Sequence, residues 1–229
     1  MGVPIHLANL KRWGIAVHGG ELLEWCTRVG DGIIRNDTTV LRDDEIAELV
    51  EPYLGRLYTG ETYRAWEGVF FTGEQATYLT IWRENVQQLR SDGQIGLAIF
   101  GLWSVLCYWL QKAEAPDAMP DIPADQLAYE YLTATSRHVH VNGNRNTVRR
   151  SDAPGTLAGT DGVDALYVAV PARRRLHKRD PRIWIWEAWW QRAPALTSSP
   201  LRTRSVFRRR HGKRRGIRCR ARRAFHRRQ

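Results

Sequence analysis

The charge of the chain changes abruptly near residue 192, and this break constrains the fold more than any other feature of the sequence. Residues 193–229 contain 14 lysine and arginine residues and no aspartate or glutamate. Residues 1–192 contain 21 basic and 24 acidic residues, a net charge of −3. A segment with unbalanced charge and few apolar residues cannot bury enough surface to offset the entropy of ordering it. We therefore expect a folded domain over 1–192 and a disordered, arginine-rich tail over 193–229.

The domain has the length and the apolar content of a single folding unit. Ten tryptophans and eight tyrosines supply much of the apolar surface that a core needs. The three cysteines, Cys26, Cys107 and Cys219, are widely spaced and form no CxxC pair. This spacing predicts a reducing, cytoplasmic location without a disulfide framework. Residues 1–6 also lack the basic-then-apolar pattern of a signal peptide.

Residues 95–110 form a stretch of 16 residues without a charged side chain. Two interpretations are open, a membrane span and a helix buried between other helices. A span needs about 20 apolar residues. The length therefore favours the buried helix, and we expect no stable membrane association.

Helical signals dominate the first two thirds of the domain. Thr72 and Gln75 form the capping-box pattern that opens a helix, and the helix after it places Tyr78, Trp82 and Val86 on one face. Further helices are predicted at the start of the chain up to a turn at Gly14, from Glu21, over 43–53, over 95–112 and over 125–135.

Strand signals lie on both sides of this helical region. A short apolar run at 15–17 precedes a Gly-Gly turn, and residues 138–141, 147–150 and 164–170 are rich in strand-forming residues. A strand, then helices, then further strands predicts an α/β sheet with a helical insertion at about 45–135. The aromatic run at 183–190 is more typical of a core than of a platform for stacked bases.

Two carboxylates follow predicted strands in positions that suit ligand binding, because ligands of open α/β sheets bind beyond the carboxyl ends of strands. Glu21 follows 15–17, and Asp152 follows 147–150. Such carboxylates accept hydrogen bonds from ribose hydroxyls or an adenine amine. Each also suits a structural role, at a helix start or in a turn. The third strand end, 169–172, offers no group for acid, base or nucleophilic work.

His138 and His140 fall on one face of the predicted strand 138–141, the spacing of a metal-binding pair. No third ligand is close in the sequence, so we expect a surface strand and no metal.

The order of these pieces resembles the DNA-adenine methyltransferases that use S-adenosylmethionine, particularly archaeal members with a helical insertion after the second strand. The stretches that carry the resemblance are GIAVHGGELLEWCTRV, TYRAWEGVFFTGEQATYLTIWRENVQQLRSDGQIGLAIFGLW, NRNTVRRSDA and DALYVAVP. It covers about residues 7–192 and rests on order and spacing, since no single motif is intact. The resemblance implies an incomplete Rossmann-like α/β sheet, DNA as partner and S-adenosylmethionine as cofactor.

The resemblance also assigns roles to individual positions. Glu21 falls where the family's second strand ends in an acid that holds the ribose, and Asp152 falls where the third strand's acid meets the adenine ring. The family's catalytic loop is Asp-Pro-Pro-Tyr, and its four positions are here Ala169, Val170, Pro171 and Ala172. Residues 1–14 also lack the family's Phe-x-Gly-x-Gly cofactor loop. We therefore expect a truncated, inactive relative that binds the cofactor poorly.

A non-catalytic nucleic-acid-binding protein is the alternative function. Basic side chains neutralise phosphates, and those concerned lie in a loop after the catalytic position and in the tail: Arg173, Arg174, Arg175, Lys178, Arg179, Arg208, Arg209 and Arg210. Two explanations of the same composition require no function: the first segment is a solvated loop, and the tail is translated out of frame from a GC-rich gene.

Overall fold

The computed structural model of the chain describes residues 3–58, 63, 66–165 and 181–191. Over these residues the chain is mostly helical and contains a small parallel sheet. The helices are α1 (Val3–Arg12), α2 (Glu24–Gly30), α3 (Asp43–Val50), α4 (Gly73–Val86), α5 (Asp92–Glu114), α6 (Ala124–Thr135), α7 (Ala153–Ala158) and α8 (Pro181–Gln191). A π-helical turn, Asp31–Arg35, continues α2, and short 3₁₀ helices lie at Pro116–Ala118 and Ser136–His138. The strands are β1 (His18–Glu21) and β2 (Thr147–Arg150).

Helix α1 ends at the turn that the sequence predicts at Gly14. Gly14 has φ +82°, a conformation that glycine adopts at no steric cost. The Gly14 amide donates to Lys11 O at 2.9 Å, and the Ile15 amide donates to Leu10 O at 3.1 Å. This pair of bonds is the Schellman motif, which satisfies carbonyls left open at a helix end. It holds Trp13 at the tip of the turn.

The two strands pair in parallel, in register from His18 opposite Thr147 to Glu21 opposite Arg150. Strand β2 matches the predicted strand, whereas β1 lies three residues later than the predicted one at 15–17. The shift follows from the pairing, because Thr147 N donates to Val17 O at 2.9 Å and so starts the ladder at the end of the apolar run. Glu21 is therefore the last residue of β1, and α2 begins at Glu24 instead of Glu21.

Helix α5 forms the centre of the core, and the prediction of a buried helix over 95–110 is confirmed. Its apolar side chains Leu97, Leu102 and Leu106 are fully buried. Ser91 caps its start by accepting a hydrogen bond from Gln94 N at 3.1 Å. Among the described residues α5 is also the one helix long and apolar enough to cross a membrane, and 72% of its most apolar window is buried within the protein.

The helical insertion predicted at about 45–135 is helical throughout its described elements, from α3 to α6. The capping box at the start of α4 is present, since Thr72 Oγ1 accepts from Gln75 N at 3.2 Å and Gln75 Oε1 accepts from Thr72 N at 3.0 Å. Trp82 and Val86 are fully buried on the face that their spacing predicts, and Tyr78 is half-buried beside them.

Residues 185–190 of α8 are buried on all sides of the helix, which explains why its apolar residues show no helical stripe. The side chains of residues 185–190 are all buried, so the prediction that this aromatic run belongs to the core is confirmed for Trp186, Trp189 and Trp190. The Trp189 indole donates to Leu79 O at 2.8 Å, and Tyr63 Oη donates to Trp189 O at 3.1 Å. These bonds anchor α8 against α4 and against Tyr63 in the segment that precedes α4.

Two strand predictions have a different outcome. The prediction of a strand at 138–141 is wrong, because residues 136–138 form a 3₁₀ helix and 139–146 are irregular. The His138 ring packs edge-on against Phe100, with the centroids 5.1 Å apart, and this contact overrides the alternating pattern. Of the strand at 164–170, Asp164 lies in a bend, and the remainder after residue 165 lies outside the described residues. The described fold is thus α/β only in the loose sense of helices around a small parallel sheet.

Candidate functional site at the strand ends

Glu21 ends β1 and turns the chain into α2. Its Oε1 accepts hydrogen bonds from the amides of Leu22 at 2.9 Å and Leu23 at 3.4 Å. These contacts are the structural role expected of an acid near a helix start. The side chain is half-buried, and within the described part of the chain its Oε2 accepts no hydrogen bond. One carboxylate oxygen is therefore available to a ligand.

Asp152 is exposed and caps α7. Its Oδ1 accepts from Gly155 N at 2.8 Å, the geometry of an N-cap. Its Oδ2 has no partner among the residues that the structure describes. Asp152 thus combines a structural bond with a second oxygen that is open to other donors, as Glu21 does.

The pairing of the strands brings these two acids to the same edge of the sheet. Glu21 lies opposite Arg150 in the ladder, and Asp152 follows Arg150 by two residues. The bond from Ser151 N to Glu21 O, 3.1 Å long, extends the pairing to this end. Two carboxylates at the carboxyl ends of neighbouring parallel strands can accept hydrogen bonds from vicinal hydroxyls and from an amine.

A cation and a helix limit the space around the two acids. Arg150 Nε donates to Leu22 O at 3.2 Å, and its Nη1 lies 3.3 Å from Glu24 Oε2. On one side of the edge α7 lies directly against Gly20, where a Cβ would come within 1.7 Å of Thr156 Oγ1. A ligand at this edge must therefore approach from the side that α7 leaves open.

A buried acid next to this edge is a residue that the sequence analysis did not single out. Glu187, on α8, accepts from the amides of Glu24 and Trp25 through its two oxygens, both at 3.3 Å. It therefore caps the first turn of α2 from a distant helix. Burial raises the pKa of Glu187, and the two amide bonds oppose that rise. A single acid within the run IWIWEAWW was the available signal, since a buried carboxylate requires partners.

Cys26 lies in the same region, and its surroundings disfavour the thiolate form. Burial, and after it the negative charges of Glu21 and Glu187, raise the pKa of this thiol far above its usual range. The thiolate is the form of cysteine that acts as a nucleophile or a metal ligand. Among the described residues no group of three or more His, Cys, Asp and Glu side chains is arranged to hold a metal ion.

A second concave region lies away from the strand ends. This cleft, with a volume of about 360 Å³, is lined mainly by α3, the segment that follows α3, and the turn between α4 and α5. Its charges are largely satisfied within the protein: Arg42 pairs with Asp44 and Glu45, and Arg56 donates to Asn85 Oδ1. The cleft thus has few free groups for a specific ligand.

The remaining predicted site residues lie outside the described residues. They are the degenerate catalytic positions Ala169, Val170, Pro171 and Ala172, and the basic residues Arg173, Arg174, Arg175, Lys178, Arg179, Arg208, Arg209 and Arg210. Their roles stay predictions from the sequence.

Comparison with protein-family models, with curated proteins and with solved structures returned no match for this chain.

Proposed function

We propose that the chain is a non-catalytic relative of the DNA-adenine methyltransferases, built on an incomplete Rossmann-like sheet, that retains only the adenosine side of a cofactor site. The observation that carries the proposal is the position of Glu21 and Asp152 at the ends of adjacent parallel strands, each with one free carboxylate oxygen. Ribose hydroxyls and the adenine amine are the donors that such a pair of acceptors suits.

S-adenosylmethionine fits this edge only in part. The two carboxylates match its adenosine half, but its charged methionine half needs several further hydrogen bonds. Residues 3–12, which precede β1, form α1 instead of a glycine-rich loop. Hydrogen bonds to charged groups contribute about 1.5–3 kcal/mol each, so losing several of them weakens binding by orders of magnitude. We expect an affinity for the cofactor no tighter than about millimolar.

Ligand-observed NMR with adenosine tests whether adenosine binds at the sheet edge formed by Glu21 and Asp152. The substitutions Glu21→Gln and Asp152→Asn keep an acceptor oxygen for the turn and cap amides but replace the free oxygen by an NH₂ group. Asp161→Asn, at an exposed position elsewhere, is the matched control. We expect saturation transfer to adenosine in the native protein and the control, and its loss in the double variant. Equal saturation transfer in all three proteins would refute the binding of adenosine by Glu21 and Asp152.

The absence of methyl transfer has a separate test. In the sequence Ala169 offers no acceptor for the adenine amine, and Ala172 offers no ring to stack on a flipped base. Removing a positioned catalytic hydrogen-bonding group costs about 2.7–4 kcal/mol, or a hundred- to thousandfold in rate. We expect no incorporation of labelled methyl groups into unmodified DNA. The variant with Ala169→Asp, Val170→Pro and Ala172→Tyr is assayed beside the native protein. Incorporation of methyl groups by the native chain would overturn the proposal.

Nucleic-acid binding by the basic residues is the second candidate function, favoured by the 14 positive charges and the absence of acids in 193–229. Each neutralised phosphate releases counterions, so six phosphate contacts give a slope of about −5 in a plot of log affinity against log salt concentration. Deleting 193–229 should remove most duplex binding. Binding that is insensitive to salt, or that survives the deletion intact, would contradict this function.

A further inference from the structure

An exposed tryptophan follows an arginine at the end of α1, on a part of the chain that neither proposed function uses. Trp13 has 74% of its surface exposed, and two other large apolar side chains nearby, Ile15 and Val141, are 47% and 67% exposed. We name as the Trp13 surface the following exposed residues: Arg12, Trp13, Ile15, Arg137, Val141 and Arg145.

Specific contacts bring the two segments of this surface together. Asn142 Nδ2 donates to Ile15 O at 2.9 Å, and Asn144 Nδ2 donates to Gly14 O at 2.7 Å. These bonds join the loop that carries Val141 and Arg145 to the turn that follows Trp13. Because both partners of each bond are fixed by short turns, the surface is pre-organised.

The 3₁₀ helix Ser136–His138 carries the exposed Arg137 and leads directly into the loop that carries Val141 and Arg145. Burial, and after it the positive charges of His140, Arg12 and Arg137, lower the pKa of His138. Arg12 and Arg137 thus both contribute positive potential at the His138 ring.

The charge of the Trp13 surface is uniformly positive. Residues 3–20 and 136–151 contain no aspartate or glutamate. Lys11, the residue before Arg12, is fully buried and is neutralised by Asp37 at 2.8 Å. Arg12, Arg137 and Arg145 have no salt-bridge partner among the described residues, so their charges remain available to an anionic partner.

We infer that the Trp13 surface binds single-stranded nucleic acid, with a base stacked on Trp13 and phosphates contacting Arg12, Arg137 and Arg145. An aromatic side chain interleaved with cations is the arrangement by which proteins bind unpaired strands. A duplex keeps its bases stacked on each other and offers no face to Trp13. A membrane surface is less favoured, because interfacial binding relies on a continuous apolar face, and only three exposed large apolar residues are present here.

The test must separate stacking at Trp13 from charge binding by the arginine-rich tail. Fluorescence anisotropy of the full-length protein is measured at elevated salt with an oligothymidylate and with an abasic oligomer of equal length. The 14 positive charges of the tail attract phosphates, which both oligomers carry, so the charge of the tail contributes similarly to both ligands. Trp13→Ala should lower affinity for the oligothymidylate by about tenfold and leave affinity for the abasic oligomer unchanged, while Trp13→Phe should retain most of the binding.

Controls and a direct readout make the result decisive. Leu54→Ala, at a side chain that is 98% exposed elsewhere, is the apolar control, and Arg90→Ala in the cleft is the charge control for Arg137→Ala. Ultraviolet cross-linking to a bromouracil-containing strand should label the peptide that contains Trp13. The inference is overturned if Trp13→Ala and Leu54→Ala bind the oligothymidylate equally, if the cross-link maps only to the tail, or if Trp13 is needed for binding anionic vesicles but not oligonucleotides.

Discussion

The contact between Gly96 on α5 and the end of α2 is the closest approach of two backbones at any described glycine. An ideal Cβ built on Gly96 lies 2.1 Å from Arg28 O and 2.5 Å from Gly32 N. Real Cβ atoms essentially never approach another atom within 3.0 Å. In Gly96→Ala the two helices must therefore separate by roughly an ångström, since the interior is close-packed and the obstructing atoms are backbone.

The expected destabilisation follows from two opposing terms. Overpacking costs about 1–3 kcal/mol, and we take the upper end because no side chain can rotate away from the new methyl group. Alanine in a helix interior recovers about 1 kcal/mol relative to glycine. The free energy of unfolding should fall by about 2 kcal/mol, which lowers the melting midpoint by about 4–8 °C for a domain of this size.

Urea and thermal unfolding, followed by circular dichroism, measure this change. Gly73→Ala is the matched control, because its Cβ meets only the flexible Glu67 carboxylate and it opens α4. The control should stay within about 0.5 kcal/mol of the native protein. If Gly96→Ala were as stable as Gly73→Ala, the direct contact of α5 with α2 would be refuted.

Three further predictions concern buried charges. The pKa of Glu187 is raised by burial. The native protein should therefore lose stability as pH rises above about 4.3, the pKa of an unfolded glutamate, towards the raised folded value. In urea unfolding Glu187→Gln should lack this loss, and parallel pH profiles of the two proteins would contradict the prediction. Arg83→Met removes two bonds to Trp190 O, 3.0 and 2.7 Å long, and should cost about 1.5–3 kcal/mol by denaturant unfolding; an unchanged midpoint would disprove the anchoring of α8. Lys11→Met leaves Asp37 without its partner and should lower the free energy of unfolding, followed in thermal melts, by about 1–3 kcal/mol. Adding Asp37→Asn to this variant should restore part of that stability, and a double variant with no recovery would argue against the ion pair.

Local signals in the sequence predicted the helices up to residue 135, whereas α7 and α8 were not predicted. The Thr72–Gln75 capping box, the uncharged stretch at 95–110 and the turn at Gly14 each act within a few residues, so each is readable without knowledge of the fold. The strand 147–150 was also predicted, together with the position of Asp152 at its end.

Contacts between distant segments decided the elements that sequence reasoning misplaced. Strand β1 contains the Gly-Gly pair, which has no strand propensity of its own, and it forms because β2 supplies its hydrogen-bond partners from over 120 residues away. The alternating residues 138–141 were predicted as a strand, but the contact of His138 with Phe100 gave them another conformation.

The same distinction applies to the candidate sites. The sequence by itself indicated that Glu21 and Asp152 lie near strand ends and that residues 193–229 carry a separate positive charge. Only the tertiary structure decided that Glu21 and Asp152 share one sheet edge, that Glu187 is buried against α2, and that the turn after Trp13 is bonded to Asn144, next to Arg145. The physical reason is that composition and periodicity act locally, whereas burial and the meeting of charges depend on which distant segments pack together.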